Sequence, residues 1–455
     1  MMQLGADLLQ CIEQDNKSQK HTQIFQMDVI YSQAVATIVA LSALNATFGL
    51  PGVSRNTILP SLSYETICKL RLRARAPTFH ENLTNAYYES RAWTLQERLL
   101  SKRCLLFTNT GTHFHCSYGL RSVLGGQVLF DDGLFNTLPD CLLVPHPQKG
   151  TARWSDAFSG YGRLVREYTQ RHLSYSSDAL NAFSGLLELF KHRFDGEMIS
   201  GLPSKFFDAA ILWVPMNDRQ QPARNFHFPS WSWAGWTGPV QYCARSDYFS
   251  SACSLKRWYL LYEPLLLSRP LKSAVAKFYY SRQTPKWEID RDTSGMERLD
   301  TNASDIIGTQ TYPGEEVISR DILEFDALAV NIAKIWGHIL LYSQPTNNRR
   351  NSEGYCGAVL SADRILEDYE QHSTDLVLLS RFSPLSLDHK WFALGDPDRI
   401  YFDPEVCPAR KWCLLNLIII AWNAAGDCAE RLGLCVLHED VWNRLDPQLK
   451  HITLA

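Results

Sequence analysis

The chain has 455 residues, 45% hydrophobic and 20% charged, with a formal net charge of -3 and a pI near 6.5. That length implies two or three domains, and the composition excludes a mainly disordered, collagenous or coiled-coil protein. No global positive field draws it to nucleic acid or anionic lipid, and twelve cysteines are too sparse here for a disulfide scaffold.

The opening residues, Met1 to Asp7, carry no basic region, and Asp7 interrupts any apolar leader segment. The most apolar run, Trp412 to Trp422, is eleven residues long and contains Asn416, against the roughly 20 that a membrane helix needs. The expectation is a cytoplasmic protein with reduced thiols and no membrane span. The sequons at Asn45, Asn82 and Asn302 are then expected to stay unmodified.

Asp15 to Ala34 reads as a helix, with Ile24, Met27, Tyr31 and Ala34 on one apolar stripe. Val35 to Leu41 follows without alternation, as a strand buried on both faces of a parallel sheet would. A helix leading into a buried strand is half of a βαβ unit, so a preceding strand is missing and the opening reads as truncated. Asn85 to Arg103 contains a second helix, with Thr94-Leu95-Gln96-Glu97 fitting a capping box. Arg103 to Phe107 and His113 to Ser117 are short strands about a turn, and Tyr118 to Gly150 is a linking segment.

Trp154, Phe158, Tyr161, Val165 and Tyr168 form an aromatic stripe at helical spacing. Leu180, Phe183, Leu187 and Phe190 form another, with Ser177-Asp178 as its N-cap. Pro203 opens a third helix through Trp213. Beyond the motif Phe228 to Trp236, strands dominate: Ala327 to Tyr342, Gly357 to Ser361, Asp375 to Ser380, Trp412 to Trp422 and Gly433 to His438. Asp290 to Glu316 and Ser343 to Gly354 read as polar loops.

Few motifs in the sequence carry chemistry. No phosphate-cradling glycine loop, nucleophile elbow or zinc-protease motif occurs. On a strand His113 and His115 would share a face with Cys116 pointing away, so the three cannot chelate one ion, and no metal site is expected. Lys69 to Arg75 alternates basic and apolar residues, as an edge strand or solvated loop does. Trp231, Trp233 and Trp236 leave two readings open. On a strand, Trp231 and Trp233 would share a face able to stack on a sugar or base; alternatively they are aromatic core, as Pro229, Ala234 and Gly235 favour.

Taken together these segments resemble the fungal heterokaryon incompatibility (HET) domain proteins. Cys11-Ile12-Glu13-Gln14 with Gln23-Ile24, Met27 and Ile30-Tyr31 is similar to one family block. Ala36 to Ser42 with Gly49 to Val53 is similar to the next, and Ser90 to Ser101, including Trp93, Thr94, Leu95, Gln96 and Glu97, to the closing motif. Asp178 to Gly185, Pro229 to Trp236 and Lys450 to Leu454 are also familiar from such proteins. The family's opening strand and the block that follows it are missing before Cys11.

The resemblance implies an incomplete, TIR-like α/β HET domain over residues 1–101 and connecting strands and a linker over 102–153. A helical segment over 154–225 and a Trp-rich, mostly β region over 226–455 would follow. It implies a cell-death effector in fungal non-self recognition, working through protein partners or self-association, without nucleic acid and without a cofactor. Because HET domains have been likened to TIR domains, some of which cleave NAD, the alternative is an NAD-cleaving enzyme. Glu13 and Glu97 would then be the catalytic carboxylates. A further alternative is an inactive fragment.

Overall fold

The computed structural model describes residues 24, 26–45, 48–53, 64–68, 70–73, 77–116, 118–123, 128–129, 154–216, 222–242, 271–282, 286–291, 321–331, 342–343, 356–359, 373–384, 402 and 407–455. The chain divides into two compact units, Met1–His146 with Tyr168–Phe190, and Pro147–Glu167 with Lys191–Ala455. Among the described residues, no helix is long and apolar enough to cross a membrane.

The first unit mixes helices with a sheet. Helix α1 (Met27–Gln33) buries Met27 and Tyr31, with Ile24 on the same stripe, as the 3–4 residue spacing requires. It leads into β1 (Thr37–Ala40). Next come a hairpin of β2 (Tyr64–Ile67) and β3 (Leu70–Arg73), then helices α2 (Phe79–Thr84), α3 (Tyr87–Ser90) and α4 (Trp93–Leu100). Strands β4 (Arg103–Thr108), β5 (Gly111–Cys116), β6 (Gly119–Ser122) and β7 (Val128–Leu129) complete a sheet of order β1-β4-β5-β6-β7. Only β1 and β4 run parallel, Thr37 beside Cys104 and Ala40 beside Phe107. Because β1 ends that order, Val39 alone of its four residues is fully buried, rather than both faces being covered.

Asn85 to Arg103 contains the expected helix as α4, with the short α3 before it: Arg91 is extended and bridges to His172, which separates the two. Thr94 and Glu97, however, do not form the expected capping box. Ala92 is the N-cap of α4 and makes no side-chain cap, so Thr94 falls two residues past the N-cap, too deep in the helix to receive the first amides. The capping box lies instead at Thr78 and Glu81, each bonding the other's backbone amide at the start of α2.

Helix α5 (Trp154–Thr169) buries Phe158, Tyr161, Val165 and Tyr168, the expected aromatic stripe. Ser176–Asp178 and Asn181–Phe183 are two 3₁₀ turns, so α6 (Ser184–Phe194) starts after them and Asp178 does not cap it. Strands β8 (Met198–Ile199) and β9 (Leu202–Pro203) form a tight hairpin whose Ser200 and Gly201 both have positive φ, the geometry that matches strand twist. The expected helix from Pro203 to Trp213 shrinks to one 3₁₀ turn and α7 (Phe207–Ala210). Pairing of β9 with β8 takes Pro203, and Ile211 and Leu212 turn the chain toward β10 (Val214–Pro215), which pairs with β11 (Val240–Gln241).

The rest of the second unit is a ten-stranded sheet. Its strands are β12 (Lys272–Ser273), β13 (Phe278–Ser281), β14 (Lys286–Glu288), β15 (Ile322–Asn331), β16 (Tyr342–Ser343), β17 (Gly357–Val359), β18 (Thr374–Phe382), β19 (Leu414–Trp422), β20 (Ala429–His438) and β21 (Gln448–Leu454). Helix α8 (Glu439–Arg444) lies between the last two. The pairings β18-β19-β20-β21-β15 return to β18, so five strands close into a ring. Closure removes edges that would otherwise template association. It also covers both faces of the central strands: eight of the nine residues of β19 are buried, which is why Trp412 to Trp422 reads as a run of apolar residues interrupted only at Asn416. Asn416, the polar residue within it, donates to Ser380 Oγ at 3.0 Å.

Candidate functional site

In the first unit the Ser90–Ser101 motif folds inward. On α4, Thr94, Leu95, Gln96, Arg98, Leu99 and Leu100 are buried, and Trp93 and Glu97 are half-buried. Thr94 Oγ1 donates to the carbonyls of Tyr88 (2.5 Å) and Arg91 (2.8 Å), fastening α4 to the end of α3. The Gln96 amide group joins two other helices: Nε2 reaches Met27 Sδ at 3.4 Å on α1, and Oε1 accepts from Gly185 N at 3.1 Å on α6. Gly185 leaves room for that approach: a Cβ there would sit 2.7 Å from Leu100 Cδ1 and 3.2 Å from Gln96 Oε1, and the Leu100 side chain would have to shift.

The charged centre of this unit is Glu89. Its carboxylate meets Arg98 at 3.1 Å and Arg171 at 2.6 Å, and the three side chains are 16%, 4% and 5% exposed. Arg171 also reaches Arg91 O and Thr94 Oγ1 at 3.4 Å. Beside it His172 N donates to Ser90 O at 2.6 Å, and Ala92 N donates to His172 O at 3.0 Å. Residues 171–185 thus complete the motif's hydrogen bonding. Neither Glu89 nor Arg171 stands out in the sequence, since the two are 82 residues apart.

Of the two candidate catalytic carboxylates, Glu13 lies outside the described residues, as do Cys11, Ile12 and Gln14. Glu97 is half-buried on α4. Its charge adds to burial in pushing the Tyr88 hydroxyl well above its ordinary value, and its carbonyl accepts from Ser101 Oγ at 2.6 Å. Burial likewise pushes the neighbouring Cys104 thiol up to about 11. His113 and His115 are buried on β5 while Cys116 is half-exposed, the alternation a strand imposes. His113 packs edge-on against Phe79, and neither of its ring nitrogens has a hydrogen-bond partner. Among the described residues, no group of three His, Cys, Asp or Glu side chains is placed to hold a metal ion.

In the second unit the tryptophan motif is not a strand, and it presents no face to a ligand. Trp231 and Trp233 are fully buried, Trp236 is 7% exposed, and Trp233–Gly235 is a 3₁₀ turn that the Ser232 side chain caps through Ala234 N. The turn forms because Gly235 lies against the Pro229 carbonyl: a Cβ there would stand 2.1 Å from that oxygen. Arg224 NH1 binds the carbonyls of Asn225, Phe228 and Gly235 at 2.7–2.8 Å, which draws both ends of the motif together.

Most polar atoms of the motif are spent internally, although Trp231 Nε1 is buried without a hydrogen-bond partner. Trp233 Nε1 donates to Tyr161 OH at 2.9 Å, Trp236 Nε1 to Ser230 O at 2.9 Å, and Ser232 Oγ to Ser200 O at 2.6 Å. Ser230 Oγ accepts from Arg431 N and donates to Ala455 O. Arg431 is itself fully buried, its guanidinium carbon 3.9 Å from the Trp213 ring centre, and desolvation pulls it down to about 9. A cation over an aromatic face recovers part of that cost. The sugar- or base-stacking reading is overturned by this burial; the cluster is core.

No curated protein sequence and no solved structure matches the chain. Residues 7–97 match the family model described as Heterokaryon incompatibility protein (HET), a span that ends within α4 after the inward-facing Thr94 and Gln96. Residues 7–97 thus give the chain a heterokaryon incompatibility (HET) domain.

Proposed function

We propose that the chain is a cell-death effector of fungal non-self recognition that acts in the cytoplasm through its HET domain, by self-association or by binding protein partners. The observation that carries this reading is the inward packing of the matched motif. Thr94 and Gln96 hold helices together instead of lining a cleft, which suits a signalling module more than a catalyst. The test is cell viability after induced expression in a filamentous fungus, with Gln96→Ala in parallel. Death with the native chain and survival with the variant, at equal soluble levels, supports the reading. Survival with the native chain at confirmed soluble expression refutes it.

A TIR-like, NAD-cleaving form of the same reading is supported by the parallel pairing of β1 and β4 after α1, and it makes Glu97 a candidate carboxylate beside Glu13. A glycosidic cleavage builds positive charge at the ribose, which a carboxylate would stabilise. NAD loss caused by the purified chain and abolished by Glu97→Ala or Glu13→Ala is the expected result. Unchanged NAD in its presence removes the enzymatic form and leaves the effector reading standing.

A further inference from the structure

Two thiols of the second unit meet at short range. Cys407, 3% exposed, donates its S–H to Cys356 Sγ at 2.9 Å, across 51 residues of sequence. A disulfide bond is about 2.05 Å long, so less than about 1 Å of movement would join them. Both segments are anchored on one residue, His438 at the end of β20. Its backbone N–H bonds Cys356 O at 2.9 Å, and its ring Nε2 is 3.1 Å from Pro408 O, next to Cys407. Cys356 also leads directly into β17, which is paired with β20. The sheet therefore holds the two sulfurs together.

The two positions are unlike. Cys356 is half-exposed, whereas Cys407 is buried. The Cys407 thiol is pushed up to about 12, first by burial and then by its hydrogen bond to Cys356, so it keeps its proton. The half-exposed Cys356 sulfur is the one that small oxidants meet first, with the buried Cys407 sulfur waiting behind it.

We propose that Cys356 and Cys407 form an oxidant-responsive pair, in which Cys356 reacts with a hydroperoxide and Cys407 closes the disulfide. The Cys356 thiolate attacks the outer peroxide oxygen and the O–O bond breaks. The departing alkoxide takes up a proton to leave as alcohol (water, for hydrogen peroxide), and Cys356 becomes a sulfenic acid. The Cys407 sulfur then attacks the Cys356 sulfur, and the sulfenic hydroxyl leaves with the Cys407 proton as water. Two thiols and one hydroperoxide give one disulfide, one alcohol and one water, two electrons passing from sulfur to oxygen. The product ties the entry to β17 to the segment at Cys407–Pro408 and is reversed by thiol exchange.

The test uses the full chain, reduced, exposed to hydrogen peroxide under native conditions, blocked with N-ethylmaleimide and mapped by mass spectrometry without reductant. The expected result is a Cys356–Cys407 peptide pair two hydrogens lighter than its parts and lost on reduction. In Cys407→Ser, dimedone should label Cys356, and in Cys356→Ser the Cys407 thiol should be recovered blocked but unoxidised. Recovery of both native cysteines as blocked thiols, at a peroxide dose that fully oxidises free glutathione, overturns the proposal. So does pairing of Cys356 with another cysteine, or oxidation of Cys407 in Cys356→Ser. The native map decides the pairing alone, so a variant that fails to fold leaves the test intact.

Discussion

Gly235→Ala is the sharpest single test of the tryptophan turn. The added Cβ would stand 2.1 Å from Pro229 O, 2.9 Å from Pro229 C and 3.0 Å from an Arg224 nitrogen. Two of the three are backbone atoms, and proline's ring leaves Pro229 little freedom to yield. Opening the turn by an ångström strains the Ser232 N→Pro229 O bond at 3.1 Å and the three carbonyls gathered by Arg224. Overpacking of this kind costs about 1–3 kcal/mol, and the weakened bonds, one set made by a charged group, add about 1–3 kcal/mol. Against this, alanine restricts the unfolded chain and returns about 0.4–1 kcal/mol. The net loss, about 3 kcal/mol, corresponds to a fall of about 6–12 °C in melting temperature for a unit of this size. Thermal unfolding followed by tryptophan fluorescence reads it directly. Gly426→Ala supplies the comparison, because Gly426 has φ +74 with no atom within 4 Å and costs only about 1 kcal/mol of backbone strain. A Gly235→Ala melt within about 2 °C of the native protein would refute the steric account.

Glu89→Ala leaves Arg98 and Arg171 buried without their shared carboxylate, and loss of one partner of a buried pair costs about 3–5 kcal/mol. Hydrogen exchange across residues 87–100 should accelerate accordingly, with Glu89→Gln intermediate. Thr78→Ala removes the capping box of α2 and should cost about 1 kcal/mol by denaturant unfolding, whereas Glu97→Gln, which makes no cap, should not reproduce that loss. Burial lowers the pKa of both His113 and His438, so the unfolded chain binds protons more readily. Stability is therefore complete above the unfolded value of about 6.5 and declines as pH falls below it, until the folded groups also protonate. His113→Phe should flatten part of that acid slope in urea titrations from pH 7 to 5; an unchanged slope would remove His113 as a contributor.

Much of the fold was legible where one periodicity ran unopposed. Phe158, Tyr161, Val165 and Tyr168 repeat at helical spacing and do line one buried face of α5, and the apolar run ending at Trp422 is the doubly covered β19. Local reading failed where tertiary partners override propensity. Thr94 has a capping residue's chemistry, but His172 pairs with the backbone ahead of it and sets where α4 begins. Alternation at Trp231 and Trp233 imitates a strand, yet the contact between Gly235 and Pro229 makes it a turn. The ion centre was invisible for a different reason: Glu89 and Arg171 are ordinary surface-type residues until folding brings them together. Spacing in the chain carries no trace of such a pairing.

The closed ring of strands has a consequence for when the second unit can fold. β21 lies between β20 and β15, with His451 opposite Asp326, and these two residues are 125 positions apart. At roughly 5–20 residues per second of synthesis, β15 waits about 6–25 s for the strand that completes it. During that interval its hydrogen-bonding edge is open to any extended segment nearby. Chain elongation, more than the intrinsic speed of strand pairing, sets the earliest moment at which this half of the molecule closes, and its exposure to mispairing is greatest on the ribosome.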